Sequence, residues 1–266
     1  MLISLFSQSL FCLNLEDAIK MTAEGGFDAI EIACAKPHLA LEDVPNKGAV
    51  LKKLLKNVGL KVSALSTYTN LTSTETLNSN IKMLINFIEL ASEFETNIVK
   101  ITPGPPSSKA AKEVHWLNIR KALEQCLPDA EKEGIKLAVE THLNMLTDTT
   151  GSTMKLLSLF DSPALGVNLD FCNLYLGGDD PADSIKKLRD KLYFTHVKDV
   201  RCGPDRCWVP LGQGELNYRS IIKALSEVGY SGYLSIECLY DEVKQQPRKF
   251  VSADLLYLRE LLEELT

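Results

Sequence analysis

Ile135-Lys136-Leu137-Ala138-Val139-Glu140 is a short apolar run that ends in a carboxylate, and three later runs repeat the form. They are Leu165-Gly166-Val167-Asn168-Leu169-Asp170, Leu192-Tyr193-Phe194-Thr195-His196 and Gly232-Tyr233-Leu234-Ser235-Ile236-Glu237. Each is partly β-branched or aromatic and gives way to a polar loop, the pattern of a buried parallel strand. Helical spacing fills the gaps, so this half of the chain reads strand, helix, strand, helix. In parallel α/β architecture the C-terminal strand ends share one face, and the active site lies there. Glu140, Asp170, His196 and Glu237 are therefore expected to converge. Three carboxylates and an imidazole suit one divalent cation, Mn²⁺ foremost, with Mg²⁺, Co²⁺ or Zn²⁺ as alternatives. One carboxylate at a strand end is often only a helix cap or a surface group, but four in succession point to metal binding.

The same alternation extends back to the N-terminus. Leu2 to Ser7 is expected as the first strand, and Asn14 as the cap of a helix stopped by Gly25-Gly26. Strands are expected at 27–32, 60–66 and 96–102, with helices at about 48–57, 74–93 and 109–133. Thr74 is the expected N-cap of the second of these, whose Leu77, Ile81, Leu84, Ile85, Ile88 and Ala91 share one face. Thr150 or Ser152, Pro181 and Asn217 open later helices, and an amphipathic helix closes the chain at about 248–262. No Ser/Gly-rich linker or shift of composition divides the sequence. Eight strand candidates alternating with helices predict a single (β/α)₈ barrel over residues 1–266. An open doubly wound sheet normally needs a glycine-rich phosphate loop after its first strand, and Ser7-Gln8-Ser9 is not one. Gly212-Gln213-Gly214 sits in a late loop and lacks a third glycine, so it is equally poor as a nucleotide motif.

Composition narrows the partners. A chain of 266 residues, 45% hydrophobic and 24% charged, is ordinary for a soluble globular enzyme. Its formal charge of −6 argues against a nucleic-acid surface. No apolar run approaches the roughly 20 residues of a membrane helix, so no membrane partner is expected either. There is no basic segment ahead of the first apolar run, hence no expected signal peptide. Seven cysteines without framework spacing fit a reducing, cytoplasmic setting. Cys202 and Cys207 lack a second pair and are weak as a zinc site, so the thiols are read as small apolar residues. Assembly into a homo-oligomer is left open.

At its four strand-end residues the chain resembles the xylose isomerase-like superfamily of sugar isomerases and epimerases. The closer likeness is to the tagatose 3-epimerase, hydroxypyruvate isomerase and inosose dehydratase branch. It is carried by Ala138-Val139-Glu140-Thr141-His142, Asn168-Leu169-Asp170, His196-Val197-Lys198-Asp199, 211–218 and 229–237. The resemblance implies one divalent metal held by Glu140, Asp170, His196 and Glu237, with Glu140 and Glu237 also acting as acid and base. It implies a small polyol, keto-sugar or sugar-phosphate substrate. Moving a proton beside a carbonyl makes an enediolate whose charge needs a positive partner, which a metal supplies. A keto-cyclitol dehydratase would begin with the same proton abstraction, and the sequence does not separate the two.

The sequence also departs from the tagatose epimerase pattern. A His usually lies three residues after the strand-six Asp, and here Asn173 does. An Arg usually lies six after the strand-seven His, where this chain has Cys202 and places Arg201 one short. Asn173 and Arg201 are thus substrate-side candidates of changed character, with Arg206 a further cation for a phosphorylated or acidic substrate. His142 has two readings, touching substrate or orienting Glu140; Lys198 either binds an oxyanion or pairs with Asp199. Glu31 is expected to point into the pocket, with Tyr68 and Trp208 as candidate walls. His38 and His115, off the strand ends, are expected at the surface. Abasic-site endonucleases share this barrel but need extra His and Asp ligands, whereas this chain offers Thr67-Tyr68, Pro103 and Asn173. A non-catalytic sugar-binding barrel is the third class, and it leaves four metal ligands without a purpose.

Overall fold

Strands form where the apolar runs fall. In the computed structural model, which describes residues 1–265, the first are β1 (Leu2–Phe6), β2 (Ala29–Ala33), β3 (Lys61–Ser66) and β4 (Ile98–Ile101). They continue as β5 (Lys136–Glu140), β6 (Leu165–Asp170) and β7 (Leu192–Val197). A short hairpin, β8 (Asp199–Arg201) and β9 (Cys207–Val209), precedes β10 (Tyr233–Ile236). Eight of these close a parallel barrel in the order β1-β10-β7-β6-β5-β4-β3-β2. The helices around it are α1 (Leu15–Glu24), α2 (Val44–Val58), α3 (Leu77–Glu93), α4 (Glu113–Glu133) and α5 (Thr150–Leu157). They continue as α6 (Phe171–Leu176), α7 (Pro181–Leu188), α8 (Tyr218–Glu227), α9 (Glu242–Gln245) and α10 (Pro247–Leu265). No helix among the described residues is long and apolar enough to cross a membrane.

Local chemistry sets most of the helix ends. Asn14, Asp180 and Asn217 each accept a backbone N–H from the first turn of α1, α7 and α8. Gly59 and Gly134 end α2 and α4 at φ of 70° and 68°, a conformation that glycine adopts without strain. Thr74 does not cap α3: the helix starts at Leu77, and its N-cap Thr76 makes no side-chain cap bond. Four cysteines, at 34, 126, 172 and 238, are buried, while Cys12, Cys202 and Cys207 are exposed.

The hairpin, absent from the expected pattern, explains the glycine pair beside it. Asp199 Oδ2 accepts the N–H groups of Gly212 and Gly214 at 3.0 Å each, and Oδ1 accepts those of Val200 and Leu216. A Cβ on Gly214 would lie 2.1 Å from Asp199 Oδ1, so only glycine fits. Gly212-Gln213-Gly214 is thus a turn wrapped on a carboxylate.

A second buried carboxylate ties α10 to the same end of the barrel. Asp254 accepts from Leu211 N at 2.9 Å, Tyr240 Oη at 3.1 Å and Cys238 Sγ at 3.2 Å. Burial raises its pKa from 3.8 to about 6, against the pull of these donors. The folded chain therefore holds the extra proton between pH 3.8 and about 6. Its contribution to stability is full below that window and is lost as pH rises through it, by about 3 kcal/mol at roughly 1.4 kcal/mol per pKa unit. Urea midpoints of wild type and Asp254→Asn at pH 4 and pH 7 should show this fall in the wild type only. Equal pH dependence in the two proteins would refute the assignment.

Candidate active site

Glu140, Asp170 and His196 lie at the C-terminal ends of the adjacent strands β5, β6 and β7, with Asp170 and His196 in register. All three are buried, and one ligand atom from each falls within 4.8 Å of the others. His196 Nδ1 is 3.3 Å from Glu140 Oε1 and 3.8 Å from Asp170 Oδ2. Its Nε2 is 3.0 Å from both oxygens of Glu31. A carboxylate accepts, so Nε2 carries a proton and Nδ1 faces the two ligand carboxylates, the arrangement that orients a metal-binding imidazole. Phe6 stacks on the ring at 5.2 Å and holds its plane.

These residues fit a divalent cation. Buried polar atoms are normally hydrogen-bonded, yet His196 Nδ1 has no aligned partner, and Asp170 Oδ2 has only the ammonium group of Lys198 at 2.8 Å. Burial works against a charged imidazole, but Glu31 and Glu140 outweigh it and raise the His196 pKa to about 10. A cation at Nδ1 accordingly displaces a proton. Charge points the same way. In formal charges, the four carboxylates Glu31, Glu140, Asp170 and Glu237 stand against two buried lysines, Lys100 and Lys198. Neutral His196 then leaves a deficit equal to the charge of one divalent ion.

Glu237, the expected fourth ligand, stands apart from the trio. Its Oε2 lies 2.5 Å from Lys198 Nζ, which is also 2.8 Å from Asp170 Oδ2. Its Oε1 accepts from Gln8 Nε2 at 3.2 Å, and Tyr68 Oη donates to Gln8 Oε1. Burial opposes ionisation of Glu237, but Lys198 and then His196 bring its pKa below the ordinary value. At Asp170 burial wins over Lys198 and the pKa rises. Lys198 thus pairs with Asp170 and Glu237, while Asp199 is turned to the loop backbone.

Lys100, on β4, was not among the expected site residues. It is 1% exposed, with Nζ 3.0 Å from Glu140 Oε2 and 3.3 Å from Thr67 O. Burial would raise the Glu140 pKa, but Lys100 and then His196 hold it well below the usual carboxylate range. The signal was present in Ile98-Val99-Lys100-Ile101, a cation inside an otherwise apolar strand. A charge in that position needs a buried partner.

A cavity of about 250 Å³ opens over this layer, lined among others by Phe6, Gln8, Tyr68, Lys100, Glu140, His142, Met145 and Glu237. It is smaller than a typical drug-sized pocket and suits a small molecule. A larger one of about 460 Å³, beside Lys52, Lys56, Lys61 and Glu93, lies at the opposite end of β3, away from the cluster. His142 reaches the active-site cavity, and its Nδ1 donates to Leu143 O at 2.8 Å, which leaves Nε2 as the second ring nitrogen. Tyr68 is a wall as expected, whereas Trp208 lies over Lys198 Nζ at 5.4 Å.

Other expected positions differ. Glu31 is 0% exposed and lies behind His196, where Ser235 Oγ donates to it at 2.5 Å. It sits in the middle of β2, one layer too deep for the pocket. Asn173 gives its backbone N–H to Asp170 Oδ1 at 2.8 Å and its amide to Thr141 O, so it steadies Asp170. Arg201 is exposed on the hairpin, donating to Gln213 O, and does not line this cavity. His38 is buried: Ser7 Oγ and Leu13 O take its two nitrogens, and burial lowers its pKa. His115 is half-buried and accepts Lys112 N at the start of α4.

Known proteins share this fold. The 3-dehydroshikimate dehydratase of Bacillus anthracis is 25% identical over 235 residues, 82% of this chain and 84% of that protein. The fructoselysine 3-epimerase of Shigella flexneri is 24% identical over 263 residues, 95% of each. A structure of the IolI protein with a zinc atom has the same fold, with a TM-score of 0.86 at 20% identity, covering 100% of this chain and 99% of that one. The family model described as the xylose isomerase-like TIM barrel matches residues 19–261, nearly the whole of the closed barrel, and the chain belongs to that family.

Proposed function

We propose that the chain is a divalent-metal-dependent isomerase or epimerase of a small sugar, sugar phosphate or keto acid. The observation that carries this reading is a pair of carboxylates, Glu140 and Glu237, three places apart in an eight-stranded ring and each joined to its own lysine. A carboxylate accepts a proton only while ionised, and Lys100 and Lys198 keep both in that state. One removes the proton beside the substrate carbonyl. If the other returns it from the far side the centre inverts; if the same group returns it to the neighbouring carbon, the carbonyl moves. Lys198 Nζ, between Asp170 and Glu237, gives a donor to the oxygen on which charge develops. Glu140, Asp170 and His196, joined by Glu237, would hold the metal, which supplies positive charge against the substrate oxygens and fixes their orientation. The oxygen-rich donor set favours Mn²⁺.

A second reading, dehydration of a keto-cyclitol or similar β-hydroxy ketone, is favoured by one observation. His142 places a third acid–base group in the cavity, available to protonate a leaving hydroxyl. By name, one relative is an epimerase and another a dehydratase, and loss of a proton next to a carbonyl opens both reaction types.

Elemental analysis of protein purified without chelators tests the centre. One divalent ion per chain is expected, and Asp170→Ala should lose it. A folded variant with unchanged metal would refute the site. Incubating candidate ketoses and keto-cyclitols in D₂O separates the reactions. Deuterium next to the carbonyl of an isomeric product marks isomerisation or epimerisation, and a new conjugated-enone absorbance marks dehydration.

A further inference from the structure

A third cavity, of about 700 Å³, opens between the β8–β9 hairpin and the loop that follows Glu237. Arg201, Arg206, Trp208 and Gln213 come from the hairpin side, and Leu239 and Tyr240 from the loop after β10. Trp208 links it to the active site: its ring lies 5.4 Å from Lys198 Nζ, and Lys198 bridges Asp170 and Glu237. Strands advance about 3.3 Å per residue, so Arg201 lies roughly 10 Å beyond Lys198 along the chain.

The charges in this cavity are unusual for the molecule. Arg120, Arg189, Arg219 and Arg248 all meet carboxylates. Among the described residues, Arg201, Arg206 and Arg259 meet none, and two of these three line this one cavity, although the chain carries a net charge of −6. Two acidic residues also line the space. Asp241 is taken by Lys244 at 2.6 Å, and Glu242 opens the short helix α9.

We propose that this cavity is an anion subsite, holding a phosphate or carboxylate at the far end of a substrate whose keto end lies over His196. This rests on the isomerase reading above and narrows its substrate class to molecules with an acidic terminus. A guanidinium presents planar paired donors that match the oxygens of either group. The base of the hairpin is fixed by the four N–H groups on Asp199, so Arg201, paired with Cys207, is carried on an ordered support, and Arg206 stands next to it at the edge of the turn.

The chain has two tryptophans, and Trp116→Phe leaves Trp208 as sole reporter. Inorganic phosphate and acetate are titrated separately into this protein, with ionic strength held constant by chloride. A saturable change in Trp208 emission is expected, with at least roughly tenfold weaker binding in Arg201→Gln/Arg206→Gln, as loss of charge-assisted bonds implies. Glu242→Gln should tighten binding. A response to phosphate alone assigns a phosphoryl terminus, and one to acetate alone assigns a carboxylate. No saturable response, or equal affinity in the double-arginine variant, overturns the proposal. Asp170→Ala separates the two ideas: the response should persist there whether or not the metal is lost. Both arginines are exposed, and a thermal melt confirms that their replacement leaves the fold intact.

Discussion

Glu140→Gln and Glu237→Gln are each expected to keep appreciable metal and lose most turnover. Glutamine preserves an oxygen for coordination and removes the basic carboxylate, and a positioned general base contributes about 10²–10⁴-fold. The two variants should differ in stability. Glu140→Gln leaves the Lys100 ammonium buried opposite a neutral amide, whereas Glu237→Gln leaves Lys198 with Asp170 at 2.8 Å. Glu140→Gln should therefore melt lower. Steady-state turnover, metal content and solvent deuterium exchange are the measurements. Normal turnover with normal exchange would remove that glutamate from the mechanism.

Lys100→Met should cost the metal-free protein about 3 kcal/mol, because breaking a buried ion pair strands the remaining charge. Both partners are almost wholly buried, at 2% and 4% side-chain exposure, so solvent does little to screen them. Uptake of a proton by Glu140 limits the loss. The double variant Lys100→Met/Glu140→Gln should recover much of it, since no isolated charge then remains. Urea unfolding with a chelator and again with Mn²⁺ checks this, and the cost should shrink when a cation stands beside Glu140. Additive losses in the double variant would show that the pair is not coupled.

Much of this architecture was legible because a parallel strand fixes both direction and depth. Glu140 and Asp170 are the last residues of β5 and β6, and that position alone sends them to the C-terminal face. Glu31 shows the limit of the same logic. It is the third of five residues in β2, and β2 also shifts register against β3 between Ile30 and Glu31. One layer of depth turned an expected pocket residue into the support of His196. Lys100 lies inside β4 and not at its end, so the rule that reads strand ends as site positions does not reach it. The hairpin could not be read from strand patterns, since its strands are three residues each and are fixed mainly by Asp199 and its backbone donors. His38 is buried by the packing of loops, which strand periodicity does not describe.

The Asp199 clamp has a further consequence for how this enzyme can change. It fastens the hairpin at its root, and the turn at 202–206 hangs beyond the last paired residues, Arg201 and Cys207. A segment anchored at its root can be rewritten at its tip while Lys198 and Glu237 stay in place. On the proposed anion subsite, residues 202–206 are where lineage drift or laboratory selection can recode the acceptable molecule without rebuilding the chemistry beneath it.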